Sequence, residues 1–174
     1  VVVPAYNEES NIRQCLSSIL DANYPKQKVQ VIVVDDGSDD RTRDIVNGFK
    51  GVKLITQRHL GKVEALNRGA LAASHDFILC LDADTVIHKD FMIEVLKPFS
   101  DEKVGAVTGA CYVKNSNTLA GMFQNVEYHY NNLIRSSFSK VFDNAIWLFG
   151  ALTCYRKKML ADIGYFKKDT LTED

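Results

Sequence analysis

At 174 residues the chain has the length of one domain with a sizeable core, and its 46% apolar and 25% charged residues are those of an ordinary soluble globular protein. A formal net charge of −1 supplies no global field toward nucleic acid or an anionic membrane, so nucleic acid is not an expected partner and an anionic ligand must be held locally. Cys15, Cys80, Cys111 and Cys154 form no CxxC pair and join no Cys/His cluster, which argues against a zinc site and reads as reduced, packed thiols.

Residues 1–3 are a β-branched run ended by Pro4, as in a buried strand that stops at a loop. From Ser10 the apolar positions Ile12, Cys15, Leu16, Ile19 and Leu20 follow helical spacing, with Ser10 or Asn11 as N-cap and Tyr24-Pro25 as the stop. A second buried strand over 29–34 ends at the turn sequence Asp35-Asp36-Gly37-Ser38. A helix over 42–49, a short strand over 52–55, a loop over 56–61 and an Ala-rich helix over 62–74 follow. Residues 77–81 are a strong apolar strand running into Asp82-Ala83-Asp84, and Asp90 opens a helix toward Phe99. Strand and helix in alternation are the signature of parallel βαβ units.

After Val104 the rhythm changes. Residues 104–113 read as one or two strands broken by Gly105 and Gly109, and 118–138 as a long mixed helix. Residues 146–155 read as a strand, and 157–163 as a short helix stopped by Gly164. The expected architecture is one α/β domain over 1–174, a mostly parallel mixed sheet flanked by helices. Val1 opens mid-strand without an initiator Met and Asp174 ends on a motif, so truncation at both ends is expected. The uncharged stretch 144–155 is too short to span a bilayer, and no signal or transit peptide is visible.

Ligands of open α/β sheets bind outside the carboxyl ends of the strands. Three such ends carry polar clusters here: residues 4–8, 35–38 and 82–84. Adjacent parallel strands would bring them to one edge, a stronger signal than any single motif. In Asp82-Ala83-Asp84 the two carboxylates, two apart on an extended segment, point the same way and repel, and a divalent cation neutralises them. Oxygen-only donors favour Mg²⁺ or Mn²⁺ shared with substrate phosphates. Taken alone, the motif reads as a solvated turn; beside two other polar strand ends it reads as a metal site.

Asp35-Asp36-Gly37-Ser38 has two readings, a plain turn before a capped helix or a carboxylate accepting hydrogen bonds from a base or ribose. Tyr6 and Glu8 either flank a planar base or are surface residues of a first helical turn. Gly61-Lys62 stands before a helix and offers close approach and a point charge for phosphate. No GxxxxGK[ST] and no GxGxxG is present, which argues against a P-loop NTPase and a dinucleotide-binding dehydrogenase. Asp174 in Thr172-Glu173-Asp174 is a surface acid unless it lies across from the metal, where it would take a proton from an acceptor hydroxyl. His59, His75, His88 and His129 show no ligand spacing and read as structural or surface. The aromatic stripe over 126–130 reads as packing, and Trp147 as either a sugar platform or a core residue.

VPAYNE (3–8), VVDDGS (33–38), GKVEALNRG (61–69), LDADT (81–85), GALTCYR (150–156) and TED (172–174), in this order, resemble family 2 glycosyltransferases of the GT-A fold. TED resembles the processive branch, the synthases of poly-N-acetylglucosamine, chitin, hyaluronan and cellulose. The resemblance implies an inverting transferase that moves GlcNAc or glucose from UDP-GlcNAc or UDP-Glc to a carbohydrate or lipid-linked acceptor. By position it implies that Ala5, Tyr6, Glu8 and Asp36 hold the nucleotide and that Lys62 contacts the diphosphate. Asp82 would sit at the donor and, with Asp84, at Mg²⁺ or Mn²⁺; Asp174 would be the general base and Gly150 would border the acceptor channel. Processive members also carry a QxxRW motif after TED and membrane helices, neither present here. A parent protein at the cytoplasmic face of a membrane, attached by segments missing from this chain, is therefore implied.

Overall fold

The computed structural model describes residues 1–113, 118–145 and 147–167. Its strands are β1 Val2–Ala5, β2 Val31–Asp35, β3 Val52–Thr56, β4 Phe77–Leu81, β5 Ala106–Thr108 and β6 Leu152–Arg156. They form one sheet in the order β3-β2-β1-β4-β6-β5. β1 pairs in parallel with β2 and β4, β2 in parallel with β3, and β6 runs antiparallel to β4 and β5. The expected mostly parallel mixed sheet is therefore present, and the family-fold expectation meets its first condition.

β1, β4 and residues 31–34 of β2 are unbroken apolar runs because helices cover both faces of the sheet. On one face Val3, Val31, Val33 and Leu81 pack with Ile12, Cys15, Leu16 and Ile19 of α1 (Ile12–Leu20). On the other, Val2, Ile78 and Cys80 pack with Leu66 and Ala70 of α3 (Lys62–Ala72) and Leu160 of α6 (Lys157–Asp162). Each fully buried aliphatic side chain contributes about 1.5–3 kcal/mol, so these central strands anchor the loops that leave them. α3 lies directly on β1: a Cβ added at Gly69 would stand 2.3 Å from Val2 Cγ1. That closeness fixes where Lys62, at the other end of the helix, meets the sheet edge.

Local chemistry departs from expectation at several element ends. Neither Ser10 nor Asn11 caps α1 through its side chain; the Glu8 carbonyl instead accepts from Asn11 N at 3.0 Å and Ile12 N at 2.9 Å. α2 is Thr42–Asn47, and α4 spans Phe91–Leu96 and tightens into a 3₁₀ turn at Lys97–Ser100 that contains Pro98, which brings no amide to an α ladder. α5 runs Leu119–Phe142, longer than expected, from a Thr118 cap whose Oγ1 accepts from Gly121 N at 3.0 Å. β6 starts at Leu152 because the residues before it turn: Phe149 N donates to Thr108 Oγ1 at 3.1 Å, and Leu152 N to the Phe149 carbonyl at 3.2 Å. α6 ends as expected at Gly164, whose φ is +82°, with Gly164 N on Ala161 O and Tyr165 N on Leu160 O.

The 126–130 stripe is only half packing. Tyr128 sits beside Phe149 with ring centroids 6.2 Å apart, whereas Val126 and Tyr130 face solvent. Asn132 and Arg135 turn inward, donating to the Cys111 and Gly109 carbonyls. Among the described residues no helix is long and apolar enough to cross a membrane.

Candidate active site

The first two strand-end loops interlock through main-chain donors. Asn7 N donates to Ser38 Oγ at 3.0 Å, Glu8 N to Thr42 Oγ1 at 2.8 Å and Glu9 N to Asp40 Oδ2 at 3.0 Å. Asp36 N donates to the Ala5 carbonyl at 2.8 Å, so Ala5, itself buried, enters the site through its backbone. Ser38 and Thr42 are fully buried hydroxyls, and both are spent on holding the loop that carries Tyr6 and Glu8. Asp35, also buried, faces Arg43 Nε at 3.5 Å and anchors the turn from beneath. Thr42→Val keeps the shape and deletes one acceptor; we expect a loss of about 1–2 kcal/mol in urea unfolding from the unpaired Glu8 amide.

Asp36 organises the third loop. Its Oδ1 accepts from Gln57 Nε2 at 2.6 Å and Leu60 N at 2.8 Å, and its Oδ2 from Gly61 N at 2.9 Å. His59 Nδ1 stands 2.8 Å from the same Oδ2. Burial pushes the Asp36 carboxyl up, but the hydrogen bonds from Gln57, Leu60 and Gly61, with His59, outweigh it and hold the group below its ordinary value. Gly37, at φ +83°, makes the close approach possible: a Cβ there would stand 2.8 Å from His59 N. Tyr6, 45% exposed, stacks on His59 with ring centroids 4.1 Å apart and planes at 28°.

At the end of β4, Asp82 Oδ1 pairs with Lys62 Nζ at 2.9 Å, and both side chains are partly exposed. Such a pair adds little stability, so its meaning is positional. Asp84 faces solvent, with Thr85 Oγ1 3.4 Å from its Oδ1. The Cys15 thiol reports how the acids gather: it is pushed up to about 12 by burial first and then by the charges of Asp84, Asp82 and Glu8. Its Sγ lies 3.6 Å from the Asp82 carbonyl. Acids from two strand ends thus converge over one point of α1. Buried thiols at Cys15, Cys80 and Cys154 are free and protonated, as packed cysteines should be.

Gly150 comes to the same edge, since Asp82 N donates to the neighbouring Ala151 carbonyl at 3.3 Å. Behind it the Arg135 guanidinium lies over the Phe149 ring at 4.2 Å. Ala5, Tyr6, Glu8, Asp36, Lys62, Asp82, Asp84 and Gly150 therefore share one sheet edge; Asp174, with the rest of TED, lies outside the described residues. Sequence reasoning did not place Gln57 and His59 beside Asp36; His59, 59% exposed, is the surface residue it expected, and both meet the Asp36 carboxylate. The signal available was position: both stand in the loop after β3, at the same edge.

The donors fit a hard divalent cation in kind, all being carboxylate oxygens. Among the described residues no group of three or more His, Cys, Asp or Glu is placed to hold a metal ion unaided. Asp82 and Asp84 would thus need further oxygens, from water and a ligand's phosphates, which is how Mg²⁺ and Mn²⁺ are commonly held.

Comparison with known proteins bears on this edge. The sequence profile described as Glycosyl transferase family 2 matches residues 1–164. The poly-beta-1,6-N-acetyl-D-glucosamine synthase of Staphylococcus epidermidis is 38% identical over 99% of this chain and 43% of its own length; that of Staphylococcus aureus is 36% identical over the same shares. The chain thus spans less than half the length of these relatives. Among solved structures, the mannosyltransferase PcManGT of Pyrobaculum calidifontis, in complex with GDP-Man and Mn²⁺, superposes with a TM-score of 0.81 at 27% identity, covering 99% of this chain and 48% of that one. Residues 1–349 of S. aureus TarS share the fold at a TM-score of 0.71 and 23% identity, over 97% of this chain and 50% of that one.

Proposed function

Because the chain belongs to glycosyl transferase family 2, we propose that its sheet edge binds a nucleotide sugar and transfers the sugar with inversion onto a growing polysaccharide. The donor we favour is UDP-GlcNAc, because the 38% and 36% identical relatives are poly-beta-1,6-N-acetyl-D-glucosamine synthases, with UDP-Glc next. The observation that carries the reading is the Lys62–Asp82 contact at 2.9 Å, at the sheet edge that also carries Asp84, Tyr6 and Asp36. A cation and two carboxylates at this edge support the reading of a diphosphate site beside a base at Tyr6.

In this reading Tyr6 and Asp36 receive the base, Glu8 lies beside them, and the Lys62 ammonium turns from Asp82 to the diphosphate. Asp84 and Asp82 would hold Mg²⁺ or Mn²⁺ with the diphosphate oxygens. A cation so placed supplies neutralisation of charge that builds on the departing diphosphate. The acceptor hydroxyl, arriving past Gly150, attacks the anomeric carbon as the bond to the diphosphate breaks, and Asp174 takes the hydroxyl proton. Fixing donor and acceptor in line is itself worth several powers of ten in rate. The acceptor would be carbohydrate or lipid-linked, and the reaction would run at the cytoplasmic face of a membrane.

The likeness to a mannosyltransferase favours a second reading, transfer of a single sugar without polymerisation. One experiment separates the two: incubate the protein with Mn²⁺ and radiolabelled UDP-GlcNAc, UDP-Glc or GDP-Man, then size the products. Label from UDP-GlcNAc in a high-molecular-weight ladder is the expected result. A single added sugar would establish the second reading, and no transfer from any donor would sink both.

A further inference from the structure

The 57–61 loop makes a contact at the Tyr6–Asp36 edge that sugar transfer does not require. His59 lies on the exposed Tyr6 ring, centroids 4.1 Å apart and planes 28° from parallel. Its Nδ1 is at the same time 2.8 Å from Asp36 Oδ2 and 3.1 Å from the Asp36 carbonyl oxygen. A flat heteroaromatic ring is thus stacked on Tyr6 and held through a ring nitrogen by Asp36. A planar nucleobase carrying an N–H would make the same two contacts at this strand edge.

The hydrogen bonds show what could be released and what could not. A carboxylate offers about four acceptor sites. Gln57 Nε2, Leu60 N and Gly61 N take three of those on Asp36, and the imidazole takes the last. The loop backbone is fixed independently of that ring, by the Leu60 and Gly61 amides and by its close approach to Gly37. The His59 side chain itself is 59% exposed. Rotation of this one side chain between staggered rotamers would clear a face of Tyr6 and a lone pair of Asp36 while the loop stays in place.

We propose that the His59 imidazole is an internal stand-in for the donor's nucleobase, occupying the ring site until a nucleotide displaces it. The proposal rests on the assignment of Tyr6 and Asp36 to the base made above. Donor binding is then a competition between a tethered ring and an incoming one. The apparent affinity is the intrinsic affinity scaled by the fraction of molecules whose imidazole has swung out. Deleting the imidazole raises that fraction, so His59→Ala binds nucleotide more tightly than the wild type.

The test is calorimetry of UDP and of pyrophosphate, each with Mn²⁺, on wild type and His59→Ala. His59→Ala should bind UDP about five- to a hundredfold more tightly, the worth of one ring stack and one hydrogen bond, and pyrophosphate unchanged. A second measurement needs no variant: the His59 Cε1–H resonance, displaced by the Tyr6 ring current in the free protein, should move to the position of a solvated histidine as UDP saturates. UDP binding by His59→Ala that is weaker or unchanged overturns the proposal. So does equal tightening of pyrophosphate, or a His59 resonance that UDP leaves in place. A wild-type protein that binds UDP no better than pyrophosphate would overturn the base assignment itself, a result distinct from each of these.

Discussion

Asp84→Asn should lower sugar transfer by about 10²–10³-fold and abolish the strengthening of UDP binding by Mn²⁺, with the melting temperature almost unchanged. The three expectations have separate physical sources. Asp84 is exposed, so a near-isosteric change there stays within about 0.5 kcal/mol of stability. Its charge, however, is the part of the acid pair that Lys62 does not already neutralise, since Lys62 Nζ sits 2.9 Å from Asp82 Oδ1. Asparagine keeps an oxygen but loses the charge that a hard cation selects. The same change at Asp82 would read less cleanly, because it also breaks the Lys62–Asp82 pair. Calorimetry of UDP with and without Mn²⁺, beside turnover, checks the prediction; metal enhancement that survives in Asp84→Asn would remove Asp84 as a ligand.

The first half of the chain was legible for a physical reason. Val1 to Val3, residues 31–34 and 77–81 are apolar on both faces because both faces are covered, and each run ends abruptly in polar residues. Strand ends of a parallel sheet share one edge, so the placing of Tyr6, Asp36, Asp82 and Asp84 along that edge follows from local pattern plus topology. The second half was less legible because its shape depends on contacts remote in sequence. β6 starts at Leu152 rather than six residues earlier since Thr108, on another strand, holds Phe149 in a turn. α5 turns Asn132 and Arg135 inward to the Gly109–Cys111 segment and leaves Leu119, Phe123, Val126 and Tyr130 outside, the reverse of what periodicity alone assigns. His59 belongs to the same class. Its role lies in meeting Tyr6 and Asp36, and nothing local at residue 59 encodes that meeting. The same holds for Asp36, read either as part of a plain turn or as a ligand contact: its carboxylate is also the keystone of a loop.

That double use makes Asp36→Ala the more disruptive change. Three donors, Gln57 Nε2, Leu60 N and Gly61 N, lose their acceptor at a residue only 3% exposed. Stranded donors cost about 1–3 kcal/mol each where water cannot reach them, so a total loss of about 2–4 kcal/mol is expected, with some donors rescued by solvent. UDP binding should fall with it, because the Gly61-Lys62 corner loses its tether. Acid unfolding gives the independent check. The folded carboxyl titrates below its ordinary value of 3.8, so its contribution is complete above the unfolded value and is lost as pH falls through the folded one. The wild type should therefore shed this stability only in the most acidic range, below about pH 4, and Asp36→Ala should show a correspondingly flatter stability profile there. Urea unfolding of both proteins from pH 2 to pH 7 measures the difference directly. Parallel profiles, offset but equally steep in acid, would mean that the carboxylate is not what holds the 57–61 loop against the sheet edge.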